Sequence, residues 1–83
     1  MSTDVYFVVQ PFAETERGRC YPLSPTEEET KRSCVKRARA LAKRHGGAVA
    51  VMMTVNWQFS QFDSSVILAE FGHVPGDGFG PLA

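Results

Sequence analysis

The chain has 83 residues, of which 43% are hydrophobic and 22% are charged. A chain of this length forms one small domain, and its hydrophobic content is too high for an intrinsically disordered protein. The formal net charge is zero, which excludes a strong overall attraction to nucleic acid or to an anionic membrane. The longest apolar run, residues 48–53, is far shorter than the roughly 20 residues of a membrane-spanning helix, so we expect no transmembrane segment.

The first part of the chain predicts two strands. Residues 4–10 are rich in β-branched and aromatic side chains, which predicts a strand that stops at Pro11. Both faces of this strand are apolar, as in a central strand or one covered on both sides. Gly18 favours a turn, and residues 19–21 predict a short second strand that pairs back on the first and is limited in length by Pro22.

The next segment predicts one long helix over residues 25–45. Ser24 is the expected N-cap, Pro25 suits the first helical position, and Glu27 stands where a capping box places an acidic residue. Gly46 and Gly47 are expected to end the helix. An apolar stripe at helical spacing is expected to face a sheet, and it consists of Cys34, Val35, Ala38, Leu41, Ala42 and His45.

The last part of the chain predicts two further strands. Residues 48–55 alternate in a strand pattern, with Val49, Val51 and Met53 on one face. Residues 56–65 predict a loop that holds three aromatic side chains, and residues 66–71 predict the final strand. Glycine and proline dominate residues 76–83, which indicates a flexible tail after a domain that covers residues 1–75.

These elements predict an α+β domain in ββαββ order, with an antiparallel sheet of three to four strands and the helix packed on one face. A single helix covers a single face, which is expected to carry Val49, Val51 and Phe7, so we expect the other apolar face to form an interface. The alternative is that the loop over residues 56–65 and the tail fold over that face. The candidate interface residues are Tyr6, Val8, Met52, Leu68 and the loop residue Trp57.

Charge is unevenly distributed along the chain. Residues 24–45 contain seven bases and three acids, whereas the remainder contains two bases and six acids. Four bases recur at helical spacing opposite the apolar stripe and predict a basic ridge that could bind nucleic acid: Arg32, Lys36, Arg39 and Lys43. The competing interpretation is a solvated helix whose dipole is balanced by acids in its first turn and bases in its later turns, with Glu28 paired to Arg32.

No residue pattern predicts a catalytic, cofactor or metal site. The spacings of Cys20, Cys34, His45 and His73 match no zinc motif, and Cys34 and His45 would lie about 16 Å apart along an ideal helix. Cys34 on the apolar stripe is expected to be a small core residue rather than a nucleophile. We therefore expect no enzyme activity. Two cysteines in unrelated contexts and no export signal indicate a reduced, cytoplasmic protein.

The segments VYFVVQPF, SPTEEE, GGAVAV and VILAEFGHVP together resemble a group of small uncharacterised bacterial proteins, over residues 5–75. This resemblance implies no activity. The opening VYFVVQPF is also similar to the first strand of peptidoglycan-binding SPOR domains, but the helix here begins far later and no second repeat follows. No functional residue carries over from either group.

The sequence thus predicts a small interaction module without catalysis of its own. We expect it to form a homodimer, or to bind an unidentified protein partner, through the uncovered sheet face or an edge strand. The alternative is a nucleic-acid-binding domain that uses the basic ridge.

Overall fold

The computed structural model describes residues 3–56 and 61–75. Its elements are, in chain order, β1 (Thr3–Glu14), β2 (Cys20–Pro22), β3 (Thr26–Glu28), α1 (Lys31–His45), β4 (Gly46–Asn56) and β5 (Gln61–Gly72). All strand pairs are antiparallel, in the order β2-β1-β4-β5, and β3 also pairs with β1. In the described residues one helix therefore packs on a five-stranded antiparallel sheet. The predicted α+β class is confirmed.

The prediction missed one strand and placed the start of the helix too early. Residues 26–28 form β3 and pair with Phe7, Val8 and Val9 of β1 instead of forming the first helical turn. The N-cap is Thr30, whose hydroxyl accepts a hydrogen bond from the Ser33 N–H at 3.0 Å, while the Ser33 hydroxyl accepts one from the Thr30 N–H at 3.3 Å. The helix begins after this second capping box and not after Ser24, because the backbone of residues 26–28 is bonded to the sheet. As predicted, α1 ends at Gly46, whose φ is +127° and whose N–H bonds to the Ala42 carbonyl.

Strand β1 continues through Pro11, where the sequence predicted its end. The Pro11 carbonyl accepts a hydrogen bond from the Leu23 N–H at 2.9 Å. Since the N–H and C=O groups of one strand residue point to the same side, the missing N–H of Pro11 faces the break between β2 and β3 rather than β4. The Gln10 side chain spans that break, because its Nε2 donates to the carbonyls of Pro11 at 2.9 Å and Leu23 at 2.7 Å.

The helix packs on the side of the sheet that carries the smallest residues. Cys34 and Ala38 of α1 meet Val9, Ala48 and Ala50, and all five side chains are fully buried. Small residues on both layers let the helix axis come close to the sheet. Around this first cluster lie half-buried residues of α1 and β5 that complete the contact: Val35, Leu41, Ala42, Leu68, Ala69 and Phe71.

The opposite side of the sheet holds a second cluster. Phe12, Val49 and Val51 are buried there, and Met53 and Val74 pack against them. The expectation that Val49 and Val51 share a face with Phe7 is therefore wrong, since Phe7 packs on the helix side. Both faces of β4 are apolar, so alternation alone did not show which face the helix covers.

The four candidate interface residues of the strands do not share a face. Tyr6 and Val8 are paired with Met53 and Val51, so they lie on the side opposite the helix. Met52 is paired with Phe7, and Leu68 packs against the first cluster, so both lie on the helix side. A single interface made of all four is therefore wrong. Trp57, Phe59 and the predicted tail at residues 76–83 lie outside the described residues.

Strand β5 is twice the length predicted for it, because residues 61–65, expected to be loop, are paired with β4. After β5 the chain turns at Gly72, whose φ is +71°. The His73 N–H then bonds to the Gly46 carbonyl at 2.9 Å, and Val74 joins the second cluster. The segment at residues 73–75 thus covers part of the face that was expected to be bare.

Candidate functional site

The outer side of β5 is the longest strand edge left without a neighbour among the described residues. β5 stands last in the strand order, and ten of its twelve residues pair with β4, on the inner side alone. A strand at the edge of a sheet presents a row of N–H and C=O groups that can pair with another strand. This edge is therefore a candidate binding surface.

Two large apolar side chains stand exposed at the middle of this edge. Val66 and Ile67 are each 47% exposed. Val66 pairs with Met52 on the helix side of the sheet, and Ile67 pairs with Val51 on the opposite side. Because the two residues point to opposite faces, a strand added at this edge would bury apolar surface on both of them.

Two irregularities in the β4–β5 pairing frame this apolar stretch. The register shifts between Ala50 and Val51 and again between Thr54 and Val55, which leaves Leu68 and Asp63 as extra residues on β5. Bulges twist an edge strand and limit the length over which a new strand can pair. Residues 64–67 lie between the shifts in regular register, and this stretch contains both exposed side chains.

A second surface feature is a groove along the side of α1 that faces β5, which we call the basic groove. It has a volume of about 590 Å³ and is lined by Lys31, Arg32, Val35, Lys36 and Arg39. The guanidinium carbon of Arg39 lies 5.4 Å from the centroid of the Phe71 ring of β5. Three of the four residues of the predicted basic ridge thus line one groove, whereas Lys43 is exposed elsewhere on the helix.

The charges around α1 differ from those expected. The first turn of the helix contains no acidic residue, because Glu27, Glu28 and Glu29 precede it. Glu28 pairs with Arg37 at 3.6 Å rather than with Arg32, and Arg37 lies on the flank of the helix away from the basic groove. The acids expected in the first turn are therefore absent from it, whereas the bases expected in the later turns are present as Lys43, Arg44 and His45.

Neither cysteine belongs to a catalytic arrangement in the part of the chain that the structure describes. Cys34 is fully buried, and its Sγ lies 3.4 Å from the Val8 carbonyl. Burial raises the pKa of the Cys34 thiol; a backbone hydrogen bond at Val51 acts in the opposite direction, and the nearby Glu28 carboxylate raises the pKa further. A thiol held in its protonated form is a poor nucleophile. The sequence prediction of Cys34 as a core residue agrees with this burial.

Near the other end of the sheet, Cys20 and His73 come together with Glu14. The Cys20 Sγ lies 3.6 Å from the His73 carbonyl oxygen, and His73 Nδ1 contacts the Glu14 carboxylate. These contacts attach the segment at residues 73–75 to β1 and β2. The imidazole faces the carboxylate and not the thiol, so the group lacks the thiol–base pair of a cysteine nucleophile.

Sequence reasoning did not single out Val66 and Ile67 as candidate interface residues. The signal that could have found them is the run VILAEF, which contains no lysine, arginine or proline to protect an edge. What the sequence could not show is that this strand lies at the edge, since strand order depends on contacts between distant parts of the chain.

Over residues 3–56 and 61–75, no group of three or more His, Cys, Asp or Glu side chains is arranged to hold a metal ion. In the same residues the helix lacks the length and hydrophobicity required to cross a membrane. No protein-family model, curated protein or solved structure matches this chain.

Proposed function

We propose that the protein is a non-catalytic interaction module that forms a homodimer by antiparallel pairing of β5 with the β5 strand of a second copy. The observation that carries this proposal is the outer edge of β5, with Val66 and Ile67 exposed at its centre. The pairing joins two five-stranded sheets into one continuous sheet.

The composition of the edge supports a second copy of the chain as the partner. The regular stretch at residues 64–67 reads Ser-Ser-Val-Ile, so it carries no charge that would repel an identical strand. Antiparallel pairing of a strand with itself places its two apolar residues close to those of the partner on both faces. A two-fold axis through this stretch makes the interface self-complementary.

The other apolar surfaces favour self-association less. The side of the sheet opposite the helix already holds the fully buried Val49 and Val51, and Val74 packs on them. That face has therefore already lost part of the apolar surface that an interface would bury. The edge keeps both its polar backbone groups and its exposed side chains available for a partner.

The proposal is tested by sedimentation of the wild type and of two matched lysine variants. Ile67→Lys places a charge on the open edge, and Tyr21→Lys places one on β2 at the other edge, where Tyr21 is similarly exposed at 49%. We expect a wild-type dimer, a dimerisation constant at least about tenfold weaker for Ile67→Lys, which is about 1.4 kcal/mol, and no change for Tyr21→Lys. Circular dichroism checks that both variants keep the fold.

Hydrogen exchange locates the contact. We expect amides within residues 64–67 to become more protected from exchange as the protein concentration rises. The protection of the β2 amides should not change with concentration. A wild type that stays monomeric at high micromolar concentration contradicts the proposal. So does a dimer that both lysine variants weaken equally, because the contact would then lie away from β5.

A further inference from the structure

We propose that the basic groove binds single-stranded nucleic acid, with Arg32 and Lys36 contacting phosphates and Arg39 stacking on a base. This site is separate from the β5 edge: the groove lies above the sheet along α1, whereas the proposed dimer contact involves the backbone of β5.

The basic groove is positively charged, which favours an anionic ligand. Four of its five lining residues are cationic, and the described residues provide an ion pair for none of these four. Lys31 and Arg32 stand in the first helical turn, where the helix dipole disfavours positive charge. A bound anion relieves both the mutual repulsion of these side chains and their unfavourable position on the helix.

The shape of the groove and the spacing of its cations favour a chain-like anion. Arg32, Lys36 and Arg39 follow one another along the helix over about 10 Å, so they can contact successive nucleotides of a polymer. The groove is open to solvent, and its volume of about 590 Å³ is not enclosed. A polymer with regularly spaced phosphates fits this arrangement better than a single small anion.

The contact between Arg39 and Phe71 provides a planar surface. The ring holds the guanidinium at 5.4 Å from its centroid, which restricts the freedom of a long side chain. Guanidinium planes and aromatic rings are surfaces on which unpaired bases stack. A phosphate chain with unpaired bases therefore uses both features of the groove, its row of cations and its stacked pair.

The rest of the molecule favours a single strand over a duplex. Glu27, Glu28 and Glu29 precede Thr30, the N-cap of α1, and line a separate groove with Val5 and Phe7 of β1. The second backbone of a duplex would meet this acidic surface, and the chain has no net positive charge to offset the repulsion. A single strand can follow the β5 flank of the helix and avoid the acids.

The experiment is fluorescence anisotropy of the full chain with a labelled oligothymidylate of about twelve nucleotides, a length within the usual range of single-strand sites. We expect binding at about 50 mM salt that weakens as salt rises, with a slope near −1.4 for the two phosphate contacts of Arg32 and Lys36. A duplex of equal length and vesicles containing phosphatidylserine serve as competing ligands. Arg37→Gln is the matched control, because Arg37 lies on the other flank of α1 and pairs with Glu28.

We expect Arg32→Gln, Lys36→Gln and Arg39→Gln each to weaken oligothymidylate binding by about fivefold or more, and Arg37→Gln by less than about twofold. Arg39→Lys keeps the charge but not the plane, so it should also weaken binding. No anisotropy change at low salt overturns the proposal. Tighter binding of the duplex or of the vesicles overturns it too, as does an equal loss for Arg37→Gln and Arg39→Gln.

Discussion

The two edges of the sheet are built in opposite ways. At one edge, β2 and β3 have three residues each, Pro22 lacks an N–H to donate, and residues 23–25 interrupt the row of backbone groups. We call this side the guarded edge. At the other, the open edge, β5 runs for twelve residues without a proline, lysine or arginine. Short strands and proline prevent the addition of a further strand along the whole guarded edge, whereas the bulges at Asp63 and Leu68 leave residues 64–67 of the open edge available.

This asymmetry determines which assemblies are available to the chain. In the proposed dimer, β5 pairs with β5, and both guarded edges lie at the outer ends of the joined sheet. No open edge remains, so the assembly closes at two copies. A chain with two open edges would instead add copies without limit. The guarded edge is therefore as important for the proposed function as the open one.

The largest effect is expected at the turn that ends β5. Gly72 and Gly18 both have positive φ values, +71° and +78°, and Gly18 lies in the turn before β2 at the guarded edge. A Cβ at Gly72 would lie 2.1 Å from the Gly46 carbonyl oxygen, whereas a Cβ at Gly18 has no atom within 4 Å. We expect Gly72→Ala to lower the free energy of unfolding by about 3 kcal/mol or more and Gly18→Ala by about 1 kcal/mol. Urea denaturation of both variants measures the difference, and equal losses would show that packing at Gly72 contributes nothing.

The sequence predicted the elements better than their arrangement. Its β-branched and aromatic content identified β1, alternation identified β4, and Gly46 identified the end of α1, because these signals are local. Residues 24–33 contain two capping patterns, and the choice between them depends on the pairing of residues 26–28 with β1, which no local pattern shows. The prediction also chose the wrong face of the sheet for the helix, although the small residues Ala48 and Ala50 mark the face that a helix can approach closely.

Of the candidate surfaces, the basic one was predictable from local spacing and the apolar one was not. The spacing of Arg32, Lys36 and Arg39 predicted a shared basic surface, and the structure places all three in one groove. The apolar interface residues were chosen as if one helix left one bare face, but the side opposite the helix is partly covered by Val74. The open edge followed from strand order, which is set by long-range pairing rather than by composition.

The second prediction concerns the side chain that spans the break in the guarded edge. Gln10 Nε2 donates to the Pro11 and Leu23 carbonyls, and Gln10→Met keeps the length of the side chain while removing both donors. We expect a loss of about 1–2 kcal/mol in the free energy of unfolding. Relative to the wild type, hydrogen exchange should accelerate more in β2 than in β5. A variant as stable as the wild type would mean that the amide does not hold the two short strands in place.

The third prediction concerns the start of α1, which determines whether β3 can exist. If the helix began at residue 25, residues 26–28 could not pair with β1, and the guarded edge would lose one of its two strands. Thr30→Ala removes the side chain that caps the observed helix, and we expect it to cost about 1 kcal/mol. Ser24→Ala removes the cap of the alternative helix and should change the unfolding free energy by less than about 0.3 kcal/mol. A larger loss for Ser24→Ala than for Thr30→Ala would show instead that the helix begins at residue 25.

The smallest effect is expected from the titration of Cys34, which lies on the buried face of α1 near Glu28 of the guarded edge. Burial raises the pKa of this thiol in the folded chain above its value in the unfolded chain. The unfolded chain therefore releases the proton first as the pH rises, so the stability contributed by the protonated thiol is complete below about pH 8.5 and declines above it. Cys34→Ala should remove this decline, whereas Cys20→Ala, at a half-buried thiol on β2, should retain it.

Thiol labelling provides an independent check, because Cys20 should react in the native protein and Cys34 only after unfolding. Equal labelling rates in native conditions would show that the layer between α1 and the sheet opens far more easily than its fully buried residues imply.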